Sequence, residues 1–184
     1  MSQKNVQKKQ DSSAACAVCK TSFSCCNDTR PPITAERRET VEAYLRECGI
    51  SVNNPFVEEK YVYPKLDSDG YCVFHDKATG RCIVHNVKPE TCAAGPITFD
   101  LNVKTRRTEW FLKKEKICPL AGILYRDAAL LQQHLESAKK EIARLVSSLE
   151  QEALEAILEK AEPDTFKIDE DEMDKEVLDK LTRK

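Results

Sequence analysis

Nine cysteines stand in a chain of 184 residues: Cys16, Cys19, Cys25, Cys26, Cys48, Cys72, Cys82, Cys92 and Cys118. Thiols at this density form disulfides, ligate metals or carry redox chemistry. Disulfides need an oxidising compartment, usually reached through a signal peptide. The opening MSQKNVQKKQDSSAAC has charge but no apolar run of the signal-peptide kind. No stretch approaches a membrane span, so the expected location is the cytoplasm, with reduced thiols. The odd count would also leave one cysteine unpaired in a fully bridged monomer. Metal ligation is the expected use for most of them.

The spacing supports that use. Cys16-x2-Cys19-x5-Cys25-Cys26 opens with a C-x-x-C turn, which sets two thiolates on one side of a tight loop. The vicinal pair Cys25-Cys26 points in divergent directions and suits different corners of a site. A second group, Cys72-x9-Cys82-x9-Cys92, is followed by Cys118. These cysteines lie beside turn residues and not on an apolar helical face. His75 and His85 each follow a cysteine by three positions; a surface role, or a hydrogen bond to a ligand, is the expected one for both. His134 is expected to be solvated.

Composition narrows the alternatives. With 41% hydrophobic and 33% charged residues and a net charge of −2, the chain is not a globally basic nucleic-acid binder. The segment Lys104 to Lys116 has six basic residues against two acidic, with Trp110 and Phe111 among them. Basic and aromatic residues together can contact nucleic acid; completion of a core by the aromatics is the stronger expectation.

The elements that must position the thiols are partly legible. Thr34 is a candidate N-cap, Val41, Tyr44, Leu45 and Cys48 recur at helical spacing, and Gly49 suits the C′ position. Ala35 to Cys48 therefore reads as one amphipathic helix, with Cys48 in the core. A short strand is expected at Glu59 to Tyr63. From Asp67 to Pro96 turn signals separate the cysteines and large apolar residues are few, so a metal is the natural cross-link. Ile97, Phe99, Leu101 and Val103 alternate as a strand with one buried face. A turn at Lys104 to Arg107 and a second strand through Glu109 to Leu112 complete a hairpin.

After Cys118-Pro119 a long helical stretch is expected up to Pro163. Leu124, Ala128, Leu131, Leu135, Ala138, Ile142, Leu145 and Leu149 form a heptad-like seam, packed inside the molecule or used for a homodimer or protein partner. Glu162 to Lys184, with nine acidic residues against five basic, reads as a solvated or weakly helical acidic tail. The expected organisation is a disordered tail over 1–13, a cysteine-cluster metal-binding domain over 14–125, a helical extension over 126–162 and the acidic tail over 163–184.

Two runs carry a family resemblance. Gly70-Tyr71-Cys72-Val73-Phe74-His75 is followed by Thr79-Gly80-Arg81-Cys82-Ile83-Val84-His85-Asn86-Val87-Lys88-Pro89-Glu90-Thr91-Cys92. Together with the opening cluster and Ile33-Thr34-Ala35-Glu36, they resemble the YkgJ-type cysteine-cluster family of zinc- or iron-chelating domains, over roughly residues 14 to 125. The chain departs from that pattern in the wider gap between Cys19 and Cys25, and in His85, Lys88 and Ala93 where the family has Tyr, Arg and Arg.

The resemblance implies eight metal ligands, Cys16, Cys19, Cys25, Cys26, Cys72, Cys82, Cys92 and Cys118, with Cys48 outside the set. The implied cofactor is zinc or iron, with a [4Fe-4S] cluster as one form. The expected fold is α+β: a small irregular metal-stabilised domain with a β-hairpin, followed by a long C-terminal helical extension. The expected function is chelation of zinc or iron. The alternatives are an Fe–S redox or catalytic protein distantly similar to flagellin lysine-N-methylase, and a zinc-stabilised nucleic-acid- or protein-binding module.

Overall fold

The computed structural model describes residues 25–160 and 164–183. Among them the fold is α+β, with six α-helices and three small antiparallel sheets. Helix α1 spans Ala35–Glu47. The Thr34 hydroxyl accepts from the Arg37 backbone N–H at 3.1 Å, satisfying one of the orphan donors of the first turn. At the other end Gly49 adopts φ +66, and the N–H groups of Gly49 and Ile50 donate to the carbonyls of Arg46 and Leu45. That pair of bonds is a Schellman stop, which needs the left-handed backbone glycine tolerates.

Strands β1 (Phe56–Glu58) and β2 (Val62–Pro64) form a hairpin. The single strand expected at Glu59 to Tyr63 is thus a turn followed by a strand. A two-residue pair, β3 (His75–Asp76) with β4 (Arg81–Cys82), comes next, then a 3-10 turn at His85–Val87 and the short helix α2 (Glu90–Ala94). Strand β5 (Ile97–Asn102) pairs with β6 (Arg107–Lys113) in the anticipated hairpin. Val103, expected on the buried face, is exposed beyond the end of β5.

The expected long helical stretch comprises three helices: α3 (Pro119–Arg126), α4 (Ala128–Ser148) and α5 (Gln151–Leu158). The heptad spacing runs through breaks that local chemistry imposes. Asp127 leaves the helix to cap α4, its carboxylate accepting from the Leu130 N–H at 3.0 Å. Leu149 is extended at the far end, where Lys180 Nζ donates to the carbonyls of Ser147 and Leu149 and places a cation at the negative end of the dipole. Leu135, Ala138, Ile142, Leu145 and Leu149 of the seam are buried in the chain's own larger core.

The acidic segment corrects its expectation most. It forms strand β7 (Thr165–Glu172), paired along β6, and helix α6 (Lys175–Thr182). Lys139 of α4 bonds Asp169 at 2.7 Å and Asp171 at 3.0 Å, and Trp110 Nε1 donates to Asp171 at 2.7 Å. Met173 and Val177 are buried. Trp110 itself is 4% exposed, so it completes the core instead of presenting an aromatic surface.

Two apolar clusters result. The larger joins the β5-β6-β7 sheet to α3, α4, α5 and α6; the smaller gathers Ile33, Val41, Leu45, Phe74 and Val84 beneath α1. Leu145 lies fully buried in the larger cluster. Leu145→Ala is expected to lower unfolding free energy by about 3 kcal/mol, read from a denaturant titration. A loss within about 0.5 kcal/mol would mean that α4 is not packed as described.

Candidate metal centre

The cysteines reach one neighbourhood by four routes. The backbone after the vicinal pair is stitched to the loop before β3. Cys72 N–H donates to the Cys26 carbonyl at 2.7 Å, Asp28 N–H donates to the Gly70 carbonyl at 2.8 Å, and Asn27 bridges to Tyr71. Those bonds lay Cys25 and Cys26 beside Cys72. The β3–β4 pair sets Cys82 opposite His75, and His75 N–H in turn bonds the Cys72 carbonyl at 2.8 Å. Helix α2 carries Cys92.

The electrostatics record this gathering. Burial pushes the Cys92 thiol well up, and the charges of Cys25, Cys72 and Cys82 add to it. Burial likewise raises Cys72 to about 11, with further contributions from Cys82 and Cys25, and raises Cys82. Cys25 and Cys26 share a proton: the bond from Cys26 holds Cys25 down at about 6, helped by the positive charges of Lys88 and Lys113. Cys26 is pushed up by the same bond, by burial and by Cys25, Cys92 and Cys82. Five thiols therefore feel one another's charge.

Their donor atoms do not form a finished shell. Among the described residues no three His, Cys, Asp or Glu side chains converge as a metal cage. Cys16 and Cys19 lie outside the described residues. Cys118 caps the start of α3 and packs half-buried against the larger core. The seven described cysteines are free of disulfides.

The residues present fit a thiophilic cation on two counts. Mutual repulsion among clustered thiolates is relieved by a positive ion, and soft sulfur suits zinc and iron. Among the described residues, two buried polar atoms also have no hydrogen-bond partner, His75 Nδ1 and Thr91 Oγ1. Both sit in the cysteine neighbourhood, His75 across from Cys82 and Thr91 beside Cys92. An unpartnered imidazole nitrogen is a donor of the kind both metals accept.

Three positions depart from expectation. Cys48 is exposed at the C-cap of α1, not in the core, and the Tyr44 hydroxyl is hydrogen-bonded to it. His134 is half-buried, its Nε2 at 3.2 Å from the Ala94 carbonyl and 3.1 Å from that of Gly95. Burial lowers its pKa, and the neutral ring donates to the end of the helix that carries Cys92. Glu90, which drew no attention in the sequence, is fully buried. Its carboxylate accepts from the Thr34 hydroxyl at 2.7 Å and faces Arg37 at 3.7 Å.

Comparison with known families decides the relationship. The CxxCxxCC family model, described as "Putative zinc- or iron-chelating domain", matches residues 15–119. The chain belongs to that family. The match takes in all nine cysteines, from Cys16 to Cys118, while α4, α5, β7 and α6 lie beyond it. No curated protein and no solved structure matches the chain. Among the described residues no helix is long and apolar enough to cross a membrane.

A thiol must lose its proton before it binds a cation. In the metal-free protein the raised thiols of Cys72, Cys82 and Cys92 hold theirs at neutral pH. Metal uptake therefore releases protons, and apparent affinity rises with pH, by up to about tenfold per pH unit for each proton displaced. Chelator competition between about pH 6 and pH 8 reads this slope; a flat profile would show that these thiols are not ligands.

Proposed function

We propose that this protein binds zinc or iron through its cysteine centre, in a cellular compartment that keeps thiols reduced, the cytoplasm. The observation that carries the reading is the gathering of Cys25, Cys26, Cys72, Cys82 and Cys92, from separate parts of the chain, to within reach of one another's charge. The ligand set is the eight cysteines Cys16, Cys19, Cys25, Cys26, Cys72, Cys82, Cys92 and Cys118. Eight thiolates suffice for two four-coordinate ions, or for a [4Fe-4S] cluster with a separate zinc.

Within the hydrogen-bonded Cys25–Cys26 pair, Cys25 is the thiol held down, which makes it the natural first ligand. Binding then draws the remaining thiols inward and ties together a stretch, residues 67–96, whose buried apolar side chains are few: Phe74, Val84 and Ala94, with Pro89 and Pro96. No protein partner is required by the helical seam, because Leu124, Leu135, Ala138, Ile142, Leu145 and Leu149 of it are buried within the chain. Nucleic-acid binding is disfavoured by the burial of Trp110 and by the pairing of Lys114 and Lys116 with Asp164.

Anaerobic purification with elemental analysis and a visible spectrum tests the proposal. Colourless protein with one or two zinc ions per chain supports a zinc centre; brown protein containing iron and sulfide supports an Fe–S cluster. Folded protein that takes up neither metal on reconstitution would overturn the reading.

A further inference from the structure

Helix α2 is five residues long and cannot hold itself in place. A single turn has few hydrogen bonds to offset the entropy of ordering it, here Ala93 N–H to Pro89 and Gly95 N–H to Thr91. Yet α2 carries Cys92, one of the clustered thiols. Its position must be imposed from outside, and both of its ends are held.

At the N-terminal end Glu90 is fully buried and accepts from the hydroxyl and the N–H of Thr34, at 2.7 and 3.4 Å. Arg37 stands beside it, its Nε 3.7 Å from Glu90, while its Nη1 donates to the Lys88 carbonyl at 3.2 Å. The same guanidinium reaches Glu141 of α4 through Nη2 at 2.5 Å. A buried carboxylate that lost these partners would be strongly destabilising, so the arrangement fixes the start of α2. At the C-terminal end the carbonyls of Ala94 and Gly95 meet His134 Nε2, also on α4. Two residues of α4, two turns apart, thus grip the two ends of the cysteine-bearing helix.

From this clamp we infer that α4, which lies beyond the family-matched segment, is an energetic part of the metal centre: His134 and the Glu141–Arg37–Glu90 relay are positioning residues for Cys92. The inference rests on the metal-binding reading and adds a coupling to it. Linkage makes the coupling reciprocal. If a docked α4 favours metal binding by holding Cys92, bound metal must favour docking of α4 around His134 to Glu141.

The test uses the full chain, titrated anaerobically with zinc and, in parallel, with ferrous iron against a chromogenic chelator. His134→Leu removes the donor to the α2 carbonyls while keeping an apolar side chain, and is expected to weaken metal binding about tenfold or more. His134→Gln can still donate from its amide and should stay within about threefold of wild type; Glu141→Gln, which weakens the grip of Arg37, should fall between the two. Hydrogen exchange on the wild type gives a readout that needs no variant. Metal should slow exchange in the part of α4 from His134 to Glu141. Unchanged α4 exchange on metal loading, or equal affinities for wild type and His134→Leu, would overturn the coupling while leaving metal binding intact. A wild type that binds neither metal would overturn both.

Discussion

Cys92→Ser is expected to abolish stoichiometric metal binding, while Cys48→Ser leaves it unchanged. Serine keeps the size of the side chain but replaces a soft, ionisable sulfur with a hydroxyl that stays protonated at neutral pH. Burial, and then the charges of Cys25, Cys72 and Cys82, push the Cys92 thiol well above its ordinary value, so it faces three of the other clustered thiols. Losing it should cost more than the roughly 10–100-fold seen when only an outer partner of a ligand is removed. Cys48 is exposed at the end of α1 and bonded to Tyr44. Metal content per chain after purification of the two variants gives the comparison. Equal loss from both would place Cys48 among the ligands and redraw the site.

Removing the metal should loosen the smaller half of the molecule before the larger. The β5-β6-β7 sheet and its helices are held by a continuous apolar cluster that includes Trp110, Leu112, Leu145 and Leu154. By contrast, the stretch around Cys72, Cys82 and Cys92 depends on two short strand pairs, isolated bridges and turns. Structural zinc contributes an apparent ~10–16 kcal/mol in small domains folded by the metal, far more than the few buried side chains here can replace. Chelation is therefore expected to raise amide exchange across residues 65–94 by orders of magnitude, while β5 and β6 stay protected. The metal-free protein should also show a first, separate unfolding step. Indistinguishable exchange across 65–94 with and without metal would mean that apolar packing alone holds this region.

Local signals explain what was legible from the residues. Helix α1 could be read to within one residue because its boundaries are set by the residues that flank it, the Thr34 cap at the start and the left-handed Gly49 at the end. The β5–β6 hairpin was legible for the same reason, from alternation on either side of a polar turn. Cys48 misled because it continues the helical spacing of Val41 and Leu45 into the last turn, where the helix has already left the core.

Distant partners explain what was not legible. The strand β7 has a highly acidic sequence, and its charge hides the fact that Lys139 meets Asp169, Lys167 meets Glu170 and the indole of Trp110 meets Asp171. In the long helical stretch the heptad spacing passes through Asp127, whose role as a cap is visible only when the chain turns there. Spacing identified the cysteines as a set but could not say which approach one another. Glu90 and His134 carried no signal at all, since each is a polar residue whose meaning lies in a partner 40 or more residues away. Those two residues connect the family's cysteine segment to the rest of the chain.

The central claim is that the clustered thiols, and not Cys48, hold the metal. Differential alkylation with mass spectrometry tests it residue by residue, on reduced protein with and without zinc or ferrous iron. Metal is expected to protect Cys25, Cys26, Cys72, Cys82 and Cys92, together with Cys16, Cys19 and Cys118, and to leave Cys48 labelled equally in both states. Labelling of Cys72, Cys82 and Cys92 that is unaffected by metal would contradict the account.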